Sequence, residues 1–238
     1  MSVEEKPLIV ISGSNSGIGL AMAREMLDRR HAVLGLVQDA AKNPVQHPDY
    51  RQEQVDMSDP ESLQTRIAEI LRGIDGPVRA LVNNAGVGRM GFLEQLSVSD
   101  LQVVMNTNFL SHAIVTRAFL PLLKRQGHGD IVFTGSESAL SGTRQGSVYC
   151  ASKFAIRGFA QALREECGKA NVRVCLINPG AVRTPFFDDL HFEPGEGEDE
   201  AIAAEDVAAV LAMVLEARPG TVLDEINVSP LNHVWRRK

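Results

Sequence analysis

Cysteine is scarce. Cys150, Cys167 and Cys175 are odd in number, and no two stand in a Cys-x-x-Cys pair, so neither a disulfide framework nor a dithiol site is implied. They read as reduced thiols of a cytoplasmic protein, with Cys150 a small hydrophobe rather than a chemical group. Long apolar runs are missing as well. The first one, Leu8 to Ile11, has the length of a strand and is far too short for a bilayer span. Met1 to Lys6 is short and acidic and lacks the basic-then-apolar order of a secretory signal. Positive charge is not in excess: 24 Lys and Arg stand against 30 Asp and Glu, a net charge of -6. Nucleic acid and anionic membranes are therefore not expected partners. No stretch rich in Pro, Gly or Ser divides the chain and no repeat is apparent, so residues 1–238 are expected to form one domain.

What the chain does have is alternation. Hydrophobic residues make up 44% and charged residues 23%, the balance of a folded globular protein. Short β-branched runs alternate with helical patterns. Strands are expected at Pro7–Ser12, Ala32–Val37, Gln52–Val55 (weakly), Val78–Val82, Asp130–Thr134, Val172–Ile177 and Val222–Val228. Helices are expected at Ile18–Arg29, Pro60–Leu71, Leu101–Lys124, Ser147–Lys169 and Ala204–Glu216, the second of them capped by Asp59. Repeated strand–helix–strand units imply an α/β fold: a doubly wound, Rossmann-like parallel sheet of about seven strands with helices on both faces. The acidic stretch from Glu193 to Glu200 reads as a solvated surface loop, with a mobile lid over a substrate as the functional alternative.

The turn Ser12-Gly13-Ser14-Asn15-Ser16-Gly17-Ile18-Gly19 joins the first strand to the first helix. Glycine permits positive φ and close approach of backbone or ligand. A helix start offers free N–H groups and positive partial charge, which suits a pyrophosphate. The spacing is Gly-x-x-x-Gly-x-Gly, different from the common Gly-x-Gly-x-x-Gly fingerprint, and its place between strand and helix points to a dinucleotide.

Three further segments add chemistry. Asn83-Asn84-Ala85-Gly86 ends the fourth strand, Ser136 lies thirteen residues before Tyr149, and Tyr149-Cys150-Ala151-Ser152-Lys153 is a Tyr-x-x-x-Lys motif on a helix. Four residues apart, Tyr149 and Lys153 share a helix face. A free tyrosine titrates near ~10, too high for efficient proton exchange at neutral pH, and a neighbouring ammonium is expected to lower it. Carbonyl reduction needs that proton on oxygen and a hydride on carbon, which no side chain supplies and a nicotinamide does.

Together, in this order, these motifs resemble the short-chain dehydrogenase/reductase family, in its short single-domain branch, from Leu8 to about Val228. The resemblance implies that Tyr149 is the general acid/base, that Lys153 tunes it and holds the nicotinamide ribose, and that Ser136 orients the substrate oxygen. It implies that Asn108 shapes the active-site helix and holds a relay water, with Asn106 the competing candidate. It places Gly13, Ser14, Asn15, Ser16, Gly17, Ile18 and Gly19 on the cofactor. Asn83, Ala85 and Gly86 fall on its adenosine side, and Pro179, Gly180, Val182 and Thr184 near its nicotinamide. Asp56 matches an acid near the adenine ring, with a strand-end turn as its structural alternative.

Cofactor choice is read at the end of the second strand, where an acid favours NAD and a basic residue favours NADP. Here Val37 occupies the acid position and Gln38 the basic one, so neither pattern is met. Without the acid nothing repels a 2′-phosphate, to which Ser14, Asn15 and Lys42 are candidate donors. NADP is favoured and NAD is the alternative, which an inward-turned Asp39 would select. The substrate is expected to be a small carbonyl or alcohol compound, lined by Phe186, Phe187 and Leu190. Two rivals stand beside the enzyme: a non-catalytic dinucleotide-binding regulator, and a nucleotide-sugar epimerase, which would need another glycine spacing and more chain. Family likeness implies a homodimer or homotetramer through the two long helices, which are apolar on more than one face.

Overall fold

The computed structural model describes residues 6–238; residues 1–5, most of the acidic Met1–Lys6 segment, lie outside the described residues. Its centre is a seven-stranded sheet in the order β3-β2-β1-β4-β5-β6-β8, every neighbouring pair parallel. The strands are β1 (Leu8–Ser12), β2 (Ala32–Val37), β3 (Tyr50–Gln54), β4 (Val78–Asn83), β5 (Gly129–Thr134), β6 (Val172–Pro179) and β8 (Glu225–Val228). Side chains alternate across a strand, so Ile9 and Ile11 enter one core while Val10 enters the other. The first core packs under α1 (Gly17–Asp28) and α6 (Ala204–Glu216), through Met22, Met26, Val207 and Leu211. The second packs under α2 (Pro60–Arg72), α4 (Ser111–Gln126) and α5 (Ser147–Cys167), through Ile67, Phe119, Leu123 and Ile156. Both faces are covered, which is why the strands read as unbroken apolar runs.

Several boundaries differ from expectation for identifiable reasons. The long helix begins earlier, as α3 (Val98–Met105), because Ser97 and Asp100 cap each other's backbone N–H groups. It continues through a π turn at Asn106–Leu110 into α4, which ends where Gly127 adopts φ 72°. Helix α5 stops at Cys167 in a short tight turn, Gly168–Ala170. The last sheet strand begins at Glu225 rather than Val222: Val222 is exposed, and the Asp224 carbonyl accepts from Arg164 at 2.7 Å. The weak third strand lies at Tyr50–Gln54, two residues earlier than expected at its start.

The acidic stretch is not wholly loop. Phe192–Pro194 forms β7, paired antiparallel with β9 (Trp235–Arg237) outside the main sheet. Glu193 and Glu196 both face Arg236 across this pair, so part of the acidic charge is neutralised there. Phe192, Trp235, Arg236 and Arg237 of this pair line the same cleft as the glycine turn and Tyr149.

Candidate active site

The strand order reverses between β1 and β4, and ligands of open α/β sheets bind in the crevice at such a point. A cleft of about 1110 Å³ opens there. Of the residues the sequence nominates, Gly13, Asn15, Ser16, Gly17, Ile18, Gln38, Asp56, Ala85 and Gly86 line one part of it. Ser136, Tyr149, Lys153, Pro179, Gly180, Val182 and Thr184 line the rest.

The glycine turn is built for close approach. Gly13 and Gly17 take φ 70° and 50°. A side chain on Gly19 would put its Cβ 2.2 Å from the Gly13 carbonyl oxygen, so Gly19 packs the turn on itself and does not line the cleft. Ser16 precedes α1 without a side-chain cap, which leaves the helix's first N–H groups free to meet an anion. Ala85 is held from behind by His112, whose Nε2 lies 2.8 Å from the Ala85 carbonyl; burial brings this imidazole down to about 3, so it stays neutral. Positive-φ glycines, free helix N–H groups and an elongated cleft together fit a dinucleotide.

Three nominated side chains face elsewhere. Ser14 is fully buried and its Oγ bonds the Tyr50 hydroxyl at 2.9 Å, so it pins the turn to β3 and cannot reach a ribose phosphate. Asn83 is fully buried, donates to Thr116 Oγ1 at 3.0 Å and braces β4 against α4 rather than lining the cleft. Asn108 is fully buried in the π turn. It receives the Val87 N–H at 2.8 Å and donates to the Val87 carbonyl and to Ser152 Oγ, locking the Gly86–Val87 segment to α5. Its competitor Asn106 donates to the Ser58 carbonyl, away from Tyr149. At the end of β2, Asp39 is turned out, with its carboxylate accepting from Ala41 N and 3.9 Å from Lys42, which removes Lys42 from the cleft as well. Asn15 lines the cleft but spends its Nδ2 on the Asp39 carbonyl.

Around Tyr149 the first turns of α5 meet the ends of β5 and β6. Lys153 donates from Nζ to the Thr134 carbonyl at 3.0 Å, and its ammonium sits 5.7 Å from the Tyr149 ring centroid. Ser136 is fixed by Asn178, whose Oδ1 receives the Ser136 N–H at 3.3 Å, and its hydroxyl accepts the Ser138 N–H at 3.1 Å. Burial pushes the phenol up to about 12 against the pull of the nearby Ser136 hydroxyl. This is opposite to the direction expected from Lys153. The reason is that Lys153 is itself buried and brought down to about 8, and its ammonium is engaged by Thr134 rather than by the phenolic oxygen.

Residues that motif reading did not nominate complete the cleft: Arg89, Met90, Glu137, Arg144, Gln145, Trp235 and Arg237 among them. They come from three separate segments and the β7–β9 pair, and no local spacing announces them. Phe186, expected as apolar lining, packs with its ring centroid 5.8 Å from that of Tyr149, the two rings tilted, and closes over Gly88, where a Cβ would meet its ring at 2.8 Å.

A Rossmann-like sheet with a crevice for a dinucleotide running into Ser136 and the buried Tyr149 and Lys153 defines an NAD(P)-dependent oxidoreductase. The family model for short chain dehydrogenase matches residues 7–193, and the chain belongs to that family. It is 38% identical over 179 residues to sepiapterin reductase of Chlorobaculum tepidum, covering 74% of this chain and 69% of that one. It is 35% identical over 189 residues to human retinol dehydrogenase 8, covering 75% of this chain and 60% of that longer one. Among solved structures it is similar to the alcohol dehydrogenase of the archaeon Thermococcus sibiricus complexed with 5-hydroxy-NADP, with TM-score 0.85 at 24% identity over 97% of this chain and 99% of that one.

Proposed function

We propose that the protein reduces a small carbonyl compound to the alcohol, or runs the reverse reaction, with NADP(H) as its working cofactor. One observation carries this reading: a phenol, a serine hydroxyl and a lysine ammonium converge on the cleft floor where the dinucleotide crevice ends. When bound, the nicotinamide supplies or accepts the hydride. Tyr149, protonated throughout the neutral range, gives its proton to the carbonyl oxygen. Ser136 donates to the same oxygen and fixes its position. Lys153 holds positive charge beneath the phenol and steadies it as the proton leaves. Asn108 acts through others, by keeping Gly86 and Val87 at a set distance from α5.

The NADP preference rests on charge. Gln38 is the residue of the β2 end that lines the crevice, and the Asp39 carboxylate is committed outside it. A 2′-phosphate therefore meets no acid. The relative complexed with an NADP analogue supports the same choice. The unpaired thiols support a reducing, cytoplasmic setting, and no helix among the described residues is long and apolar enough to cross a membrane. A homo-oligomer, formed through α4 and α5, is the assembly we propose.

The test follows loss of NADPH and NADH absorbance in parallel against aldehydes, ketones, quinones and keto acids. Turnover with NADPH that drops at least ~100-fold in Tyr149→Phe, with cofactor binding retained, is the expected result. Faster turnover with NADH overturns the cofactor choice. Tight cofactor binding with no turnover on any class overturns the enzymatic reading in favour of a dinucleotide-binding regulator.

A further inference from the structure

The residues that line the cleft carry the opposite balance of charge from the molecule. The chain has a net charge of -6, yet four arginines line the cleft, Arg89, Arg144, Arg236 and Arg237, while its lining carboxylates are Asp56 and Glu137 alone among the described residues. Asp56 belongs to the cofactor half, where it caps the Ser58 N–H and hydroxyl. Glu137 is committed: it accepts from Ser229 Oγ and lies 3.7 Å from His233. Two of the arginines are also committed, Arg89 to Asp100 and Arg236 to Glu193 and Glu196. Arg144 and Arg237 form no ion pair among the described residues.

Both sit on the substrate side. Arg144 lies on the loop that leads into the Tyr149 helix, with its guanidinium 5.0 Å over the Phe92 ring. That loop is tied down next door: the Gln145 carbonyl receives the Gly91 N–H at 2.8 Å, and the Gln145 side chain meets His191 at 3.3 Å. Gln145 holds φ 63°, a conformation unfavourable for a side-chain-bearing residue, so the loop is fixed there against a local cost. Arg237 lies on β9 opposite Phe192. The apolar path from the phenol to this point is continuous. Tyr149 contacts Phe186, Phe186 contacts Phe187 at 5.2 Å, and Phe187 contacts Trp235 at 5.9 Å, with Trp235 half exposed at the mouth.

We propose that Arg144 and Arg237 form an anion subsite at the cleft mouth, and that the preferred substrate is a carbonyl compound with an apolar body and a carboxylate at its far end. The inference rests on the oxidoreductase reading above and names its substrate class. An apolar wall orients the body along the aromatic path. Planar guanidinium groups receive a carboxylate in paired, charge-assisted hydrogen bonds, which neutral esters cannot match. Arginines without an ion pair on the cleft lining also make the local potential favourable to an anion.

The experiment uses the full chain with NADPH. Aliphatic aldehyde-acids of graded chain length and para-carboxybenzaldehyde are each compared with their methyl esters. For at least one pair, kcat/KM for the acid is expected to exceed that for the ester by about 10- to 100-fold, the range of a charge-assisted bond. In Arg144→Gln and Arg237→Gln the acid's KM rises by about the same factor while the ester's kinetics stay put, and Arg144→Lys restores part of the loss. The NADPH-over-NADH ratio stays unchanged, which separates this subsite from one for the ribose phosphate. Equal use of acid and ester in every pair, or equal loss on both in the variants, overturns the proposal. Calorimetry on the NADPH-loaded protein gives a readout independent of turnover. If the acids bind tighter than the esters but none reacts, the subsite stands and the oxidoreductase reading fails. If acids and esters bind alike, the subsite fails.

Discussion

Lys153 and Tyr149 are buried together, and the same burial moves their proton affinities in opposite senses. The phenol rises to about 12 and the ammonium falls to about 8. Tyr149 therefore keeps its proton across the working range, as a donor in carbonyl reduction must, while Lys153 is the group that titrates within reach of assay. We predict that kcat/KM for reduction declines as pH rises through about 8. Lys153→Met is expected to be slow at every pH and to lack that step; a profile flat to pH ~10 in the parent would sink the assignment. Stability gives an independent check. The folded pKa of Lys153 lies below its unfolded value of 10.5, so the unfolded chain binds the proton more tightly. The cost of burying the charge is in full force below about 8 and is relieved as pH climbs toward 10.5. Lys153→Met should melt higher than the parent at pH ~7, with the gain fading above pH ~10.

At this scale the sequence was most legible where chemistry demands a residue type at a fixed spacing. Tyr149, Lys153 and Ser136 are brought together as the motif implies, and the glycine turn lies at the sheet's switch point. It was least legible where a polar residue has two jobs open to it. Ser14 and Asn83 have the right chemistry for a cofactor, but their partners, Tyr50 and Thr116, lie 36 and 33 residues away and claim them for packing. The sign of the Tyr149 shift failed for a related reason. Proximity on a helix face is readable from spacing, whereas the degree of burial that outweighs it is a property of the whole fold.

Among the elements, the amino-terminal ends of β4, β5 and β6 are joined by one buried carboxylate. Asp130, 1% exposed, holds Arg79 of β4 and Arg173 of β6 at once. Both guanidinium groups then reach on to carbonyls at the end of α6, including those of Leu215 and Ala217. One side chain thus fastens three strands to the helix that covers them, at the amino-terminal ends of the strands. Removing the charge leaves two partly buried cations facing each other. Asp130→Asn is expected to cost about 3 kcal/mol, read by urea unfolding, with kcat/KM on the folded enzyme unchanged. A loss under ~0.5 kcal/mol would mean solvent screens the cluster as it does a surface pair. Elements were legible in the chain to the extent that their periodicity was local. The pairing of β7 with β9 was not, because two three-residue segments more than forty residues apart meet only in the fold. That pair of strands also carries Trp235 and Arg237 to the cleft, so this part of the substrate side escaped reading, whereas Phe186 and Phe187 line it as expected.

For the molecule as a whole, the remaining question is what meets the outer faces of the long helices. Their inner faces are spent on the second core. Leu110, at the π turn, and Phe154, on α5 one residue beyond Lys153, are 37% and 45% exposed, and Val98 at the start of α3 is 69% exposed. Isolated apolar side chains on a surface are ordinary, but these three lie on α3, the π turn and α5, elements that pack against one another, and we propose that they belong to one interface. Two-fold pairing of such a face would lay each residue against its own copy's neighbours and shield all of them in one step. We therefore expect light scattering to give at least twice the 25.9 kDa of one chain, and Phe154→Glu to shift the population toward monomer by placing like charges in a dry contact. The position also ties assembly to chemistry. Phe154 follows Lys153 on the same helix turn, so a dimer seated on α5 would restrain the segment that holds Tyr149. If Phe154→Glu gives a monomer with unchanged kcat, the site is self-sufficient within one chain. If kcat falls along with the dimer, pairing is part of what keeps the phenol in place. A parent protein that is monomeric at assay concentration would refute the interface outright.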